Sequence, residues 1–218
     1  MPKSSVIFQI QPIAKQIAKD GQKIVDNIKY ESVDVYKFLQ QAYQDTDITT
    51  NYLFQFLFRK YYNLEEARLS DDFHSEYFKI LQDLKNNSQD WNYESVIEHL
   101  YQIPRAKGDN AIQCSFVSKM FHTLDPNNVV YDSKVAKMFR FKSLSTLSTD
   151  QKIGKFKQQI GTISSSYNEI ITKRLLDDVI IMFDARFENH DLHPRKVLDF
   201  IFWSAGRTIY SKQKDVLE

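Results

Sequence analysis

The chain has 218 residues, 42% of them hydrophobic and 14% aromatic, which is enough apolar material for the core of one large domain or two small ones. Twenty-nine Lys and Arg against 28 Asp and Glu leave a formal charge of +1, so bulk charge does not announce a nucleic-acid partner. A lone cysteine, Cys114, excludes an intramolecular disulfide framework, a four-cysteine zinc site and a four-cysteine iron-sulfur cluster, and suits a reducing cytoplasm.

Only five Gly and five Pro punctuate the sequence, which argues against a turn-rich sheet and against a Gly-rich phosphate loop. The expected class is all-α. "MPKSSVIFQIQPIAKQ" lacks the apolar core and cleavage site of a secretory signal, and no apolar run approaches the roughly 18 residues that span a bilayer. A cytoplasmic protein with no membrane partner, no metal and no cofactor is expected.

Pro12 suits a first helical turn, and Ile13, Ile17, Ile24, Val25 and Ile28 recur at helical spacing to about Lys29. Tyr36, Leu39 and Tyr43 predict a second helix. "TTNYLFQFLFRKYYN" predicts a third, apolar nearly all round and so expected in the core. Asp71 and Asp72 open a fourth, holding Tyr77, Phe78, Leu81 and Leu84, and a loop at "SQDW" precedes a fifth from Tyr93 to Tyr101. After Pro104 the loop "RAKGDN" leads to a helix from about Ala111 to Leu124, stopped by Pro126. A Ser/Thr-rich connector, "KSLSTLST", then leads to Thr149 and Asp150 as caps of a long helix. "KRLLDDVIIMFDARF" and "HPRKVLDFIFWSAGR" are the last two. No repeat or linker divides the chain, so a single domain over 1–218, or packed halves 1–104 and 105–218, is expected.

Charge is segregated. Leu64 to His99 holds nine acids against three bases, whereas Ser133 to Lys157 holds seven bases and a single acid, Asp150. Solvated lysines on exposed faces are one explanation; phosphate contact is the other. Between these stretches, Leu124, Asp125 and Pro126 end one helix, Val129, Val130 and Tyr131 extend, and Asp132 opens the next helix ahead of Val135. Asp is a favoured N-cap, and here it would accept the amides of about Lys134 and Val135, worth about 1 kcal/mol.

That order of helix, Pro, apolar connection and capping aspartate resembles the helix-hairpin-helix DNA glycosylase superfamily. "SKMFHTLDP", "YDSKV" and "RKVLDFIFWSAGR" are similar to divergent bacterial proteins with an 8-oxoguanine DNA glycosylase fold. The resemblance implies a glycosylase-like helical fold, Asp132 as the catalytic carboxylate, and double-stranded DNA as partner. Lys119, Lys134, Lys137, Arg140, Lys142, Lys152 and Lys155 are the DNA-contact candidates. It also exposes departures. The family's nucleophilic lysine falls near Gln113, and its Gly-rich hairpin corresponds to "RAKGDNAIQ", with Gly108 alone. The implied activity is therefore hydrolysis of an N-glycosidic bond without a lysine, the single carboxylate stabilising an oxocarbenium-like sugar. The alternative is a non-catalytic binding or regulatory protein in which Asp132 is only a cap.

Other residues have plainer readings. His190, Asp191 and His193 fit a polar loop better than a metal site; His122 fits a satisfied interior or surface position better than one facing a cleft; Phe202 and Trp203 fit the core; Arg207 fits a cap of its own helix C-terminus better than a reach to the Asp132 region.

Overall fold

The computed structural model describes residues 8–144 and 146–211. Every regular element among them is helical: α1 (Gln11–Lys19), α2 (Gly21–Asp26), α3 (Tyr30–Asp45), α4 (Tyr52–Tyr61), a 3-10 turn (Glu65–Ala67), α5 (Asp71–Asn86), α6 (Tyr93–Tyr101), α7 (Cys114–Leu124), α8 (Ser133–Met138), α9 (Thr149–Lys173), α10 (Asp177–Arg186) and α11 (Pro194–Ser211). Polar side chains fix several starts. Asn51 accepts from the Phe54 amide at 3.0 Å, Ser70 from Phe73 at 3.2 Å, and Asn92 and Ser95 form a reciprocal capping box on α6. The predicted first helix is two helices, because Asp20 leaves helical geometry (φ −106°, ψ 16°) and the chain restarts at Gly21, a weak helix former.

The chain forms two compact units. A terminal unit comprises Met1–Ile28, Asp132–Lys142 and Lys157–Glu218; a central unit comprises Lys29–Tyr131 and Ser143–Phe156. This division does not fall at residue 104. The cause is long-range pairing of the chain's two ends: Ser204 donates its hydroxyl to the Ile24 carbonyl at 2.6 Å, and the Asn27 amide donates to the Thr208 hydroxyl at 3.0 Å.

The central unit is built on aromatic rings. Phe54, Phe58, Tyr77 and Phe78 are at most 1% exposed, and Phe58 has ring centroids of Phe54, Tyr62, Tyr77 and Phe78 within 4.7–5.9 Å. Tyr77 donates its hydroxyl to the Phe116 carbonyl at 2.8 Å, fastening α5 to α7. α4 is not apolar-buried all round. Tyr52, Leu53 and Phe56 are 76%, 58% and 46% exposed, so only the Phe54 and Phe58 face enters the core.

In the terminal unit, α8 lies directly on α11. A methyl group at Gly206 would come within 2.4 Å of the Lys134 carbonyl oxygen, so this crossing needs a residue with no Cβ. Phe139, at the end of α8, stacks on Phe202 at 5.4 Å, and Tyr167 of α9 meets Phe202 at 5.0 Å. Within α11 the buried Lys196 ammonium pairs with Asp199 at 2.7 Å and lies 4.5 Å from the Phe200 ring centre.

Candidate nucleic-acid interface

Asp132 is extended (φ −119°, ψ 153°), and its Oδ1 accepts the Lys134 amide at 2.8 Å. The cap predicted at about Lys134 and Val135 is thus made to Lys134. The carboxylate is half-exposed, and Oδ2 makes no hydrogen bond among the described residues. Val135 and Met138 bury the inner face of α8. Its end is a Schellman turn: Phe141 donates to the Ala136 carbonyl at 3.0 Å and Arg140 to Lys137 at 2.9 Å. Arg140 therefore holds the left-handed position (φ 54°) usually given to glycine.

The cations of this segment face outward. Lys137, Arg140 and Lys142 are exposed, Lys134 is half-buried, and none of the four forms an ion pair among the described residues. Packing of Val135 and Met138 inward is what turns the lysines out.

The other candidates lie in the central unit. Lys119 is a correction: it is 5% exposed, its ammonium donates to the Tyr62 carbonyl at 2.9 Å, and it lies 4.9 Å from the Phe116 ring centre. A buried cation satisfied in this way is part of the core and is withdrawn from the DNA-contact set. Lys152 is half-buried and Lys155 exposed, both on the first turns of α9. Gln113 occupies the N-cap position of α7 without a side-chain cap bond.

The loop over residues 105–110 is closed on itself. Gly108 (φ 87°) allows the turn that brings the Gly108 amide to the Arg105 carbonyl at 2.8 Å, and the Arg105 guanidinium grips both oxygens of Asp109. The Arg105 side chain holds the Asp109 carboxyl below its usual range. An ionised carboxylate at this turn disfavours phosphate.

Among the side residues, His122 is interior: its Nε2 lies 3.2 Å from the Tyr36 hydroxyl and its Nδ1 2.6 Å from the Asn128 carbonyl. Burial pushes the Cys114 thiol up to about 12, against smaller opposing pulls that include Lys152. His190 Nδ1 accepts the Leu192 amide at 2.9 Å and His193 Nδ1 accepts the Arg195 amide at 3.3 Å, so each Nδ1 serves the loop backbone, while His190 Nε2 lies 2.9 Å from Asp184 Oδ1. No cluster of three or more metal-ligating side chains exists among the described residues. No helix of the described residues is long and apolar enough to cross a membrane.

Arg207 does not cap α11. Its guanidinium lies 4.8 Å from the Trp203 ring centre, with the arginine exposed and the indole half-buried. The i,i+4 spacing of Trp203 and Arg207 was the available signal, and it is satisfied as a cation–π stack. Trp203 is accordingly a half-exposed platform, while Phe202 is core.

Comparison with known proteins finds no matching family model, no matching curated protein and no matching solved structure.

Proposed function

We propose that this chain binds duplex DNA through α8 and the segment after it, and hydrolyses the N-glycosidic bond of a damaged or modified base with Asp132. The observation that carries this reading is a half-used carboxylate at the head of an unpaired basic segment. One oxygen of Asp132 is fixed by the Lys134 amide, and the other is left for water or for a sugar gaining positive charge. Lys134, Lys137, Arg140 and Lys142 form no ion pair among the described residues, which leaves their charge for phosphate contact. In the reaction, water adds to the anomeric carbon as the carbon–nitrogen bond breaks. The bonding electron pair leaves with the base, and the carboxylate balances the oxocarbenium charge while taking the proton from water. Lys119 is committed to the Tyr62 carbonyl, so no Schiff base is assigned to it.

The test is Asp132→Asn on a panel of lesion-containing duplexes. Asn caps a helix as well as Asp does, so the fold is kept while the charge is removed. Abasic sites made by the native chain and absent with the variant are expected, without a borohydride-trapped adduct in either. Equal activity of the variant would falsify the role of Asp132, and a trapped adduct would reject the lysine-independent route.

A second reading, a non-catalytic binding or regulatory protein, is favoured by the self-closed Arg105–Asp109 loop, where the guanidinium is already taken by a carboxylate. Duplex binding with no abasic product on any lesion selects it.

A further inference from the structure

The geometry points to a DNA contact outside the basic segment: we infer that Arg207, held on the Trp203 indole, extends the phosphate-binding face of α8 onto α11. This inference rests on the DNA-binding reading above.

Three observations place it. First, the α8–α11 crossing is at its closest at Gly206, whose absent Cβ would fall 3.0 Å from the Lys134 Cβ. Consecutive Cα atoms are about 3.8 Å apart, so the Arg207 Cα lies within about 8 Å of the Lys134 Cβ. Two long cationic side chains rooted that close can serve the same phosphate or neighbouring ones. Second, Arg207 is exposed and has no ion pair among the described residues, the same condition as Lys137, Arg140 and Lys142; Lys134 likewise has no ion pair among them but is half-buried. Third, the Arg207 guanidinium carbon lies over the Trp203 ring, 4.8 Å from its centre. Stacking on an indole leaves the N–H edges of the guanidinium free to donate and lowers the entropy lost when they bind a phosphate oxygen.

Arg186 meets Asp26 at 3.5 Å and Lys173 meets Glu169 at 2.9 Å, each answered by a carboxylate, whereas among the described residues Arg207 is answered by a neutral ring, which leaves its charge for a ligand.

The experiment is duplex binding by fluorescence anisotropy across a salt series, with native chain, Arg207→Ala, Arg207→Lys and the double variant Lys134→Ala/Lys137→Ala. Melting temperature checks each fold. Arg207→Ala is expected to lower the salt slope by about 1 and to weaken low-salt binding at least about threefold. Arg207→Lys keeps the charge and so keeps the slope. The double variant lowers the slope by about 2. Native binding that Arg207→Ala leaves unchanged, with the double variant impaired, overturns this inference alone. A native chain with no duplex affinity, or a double variant that binds like the native chain, overturns the DNA-binding reading and this inference with it.

Discussion

The two units handle charge in opposite ways. Counted over its ranges, the terminal unit has seventeen Lys and Arg against twelve Asp and Glu, and the central unit has twelve against sixteen, so an almost neutral chain is a basic unit joined to an acidic one. In the central unit, several surface cations are matched: Lys60 with Glu65, Lys79 with Glu76 at 3.6 Å, and Arg105 and Lys107 both with Asp109. In the terminal unit, pairs form on α9 and α10, while among the described residues the cations of α8 and its tail, like Lys15, Lys19 and Lys23 of α1 and α2, form none. Exposed pairs add little stability, so what pairing decides is which cations keep charge to offer a partner. The central unit invests in an aromatic interior, and the terminal unit leaves a charged edge unsatisfied.

That contrast can be broken most decisively in the aromatic interior. Phe58→Ala should cost about 3–5 kcal/mol in urea unfolding, because the ring is fully buried among four others, whereas Phe56→Ala on the same helix should change stability by less than about 0.5 kcal/mol. Comparable losses from the two would mean that α4 buries both faces. A smaller effect sharpens the other side. Arg140→Gly relieves a left-handed non-glycine residue, so stability should rise by about 0.5–1 kcal/mol while the salt slope of duplex binding falls by about 1. Opposite signs on the two measurements separate a residue kept for a ligand from one kept for the fold; a loss of stability would reverse that assignment.

The smallest expected effect is a pH dependence in the central unit. Burial first, and Arg59 second, hold His74 below the ordinary histidine value of 6.5, and its Nδ1 has no partner among the described residues. The unfolded chain then binds this proton more readily than the folded one. The contribution of His74 is complete above about pH 6.5 and is lost as pH falls through the depressed folded value. Urea midpoints at pH 7.5 and 5.5 should therefore lie closer together in His74→Gln than in the native chain. An unchanged gap would assign the acid sensitivity to other groups.

What could be read in advance was what neighbours in sequence decide. The Tyr93–Tyr101 helix, the stop before Pro126 and the Asp132 cap all depend on residues within one turn, and they stand where the spacing put them. What could not be read depends on distant partners. Lys119 looks like a surface lysine until the Tyr62 carbonyl, 57 residues earlier, arrives beside it. The outward rings of α4 share the apolar character of the inward ones, so composition cannot say which side is covered. The units themselves are set by α2 pairing with α11, across a gap that periodicity does not sense. At the candidate site, the cap and the basic run were legible, while the Arg207–Trp203 stack needed the α8–α11 crossing to give it meaning.

The joining of α2 to α11 also orders the protein's birth on the ribosome. The central unit's main stretch, Lys29–Tyr131, is continuous and can begin to collapse as it emerges, but the Ile24 carbonyl waits 180 residues for Ser204. Ile24, Val25 and Ile28, each wholly buried at the end, travel through synthesis uncovered. Their cover on α11 exists only once that helix has been made.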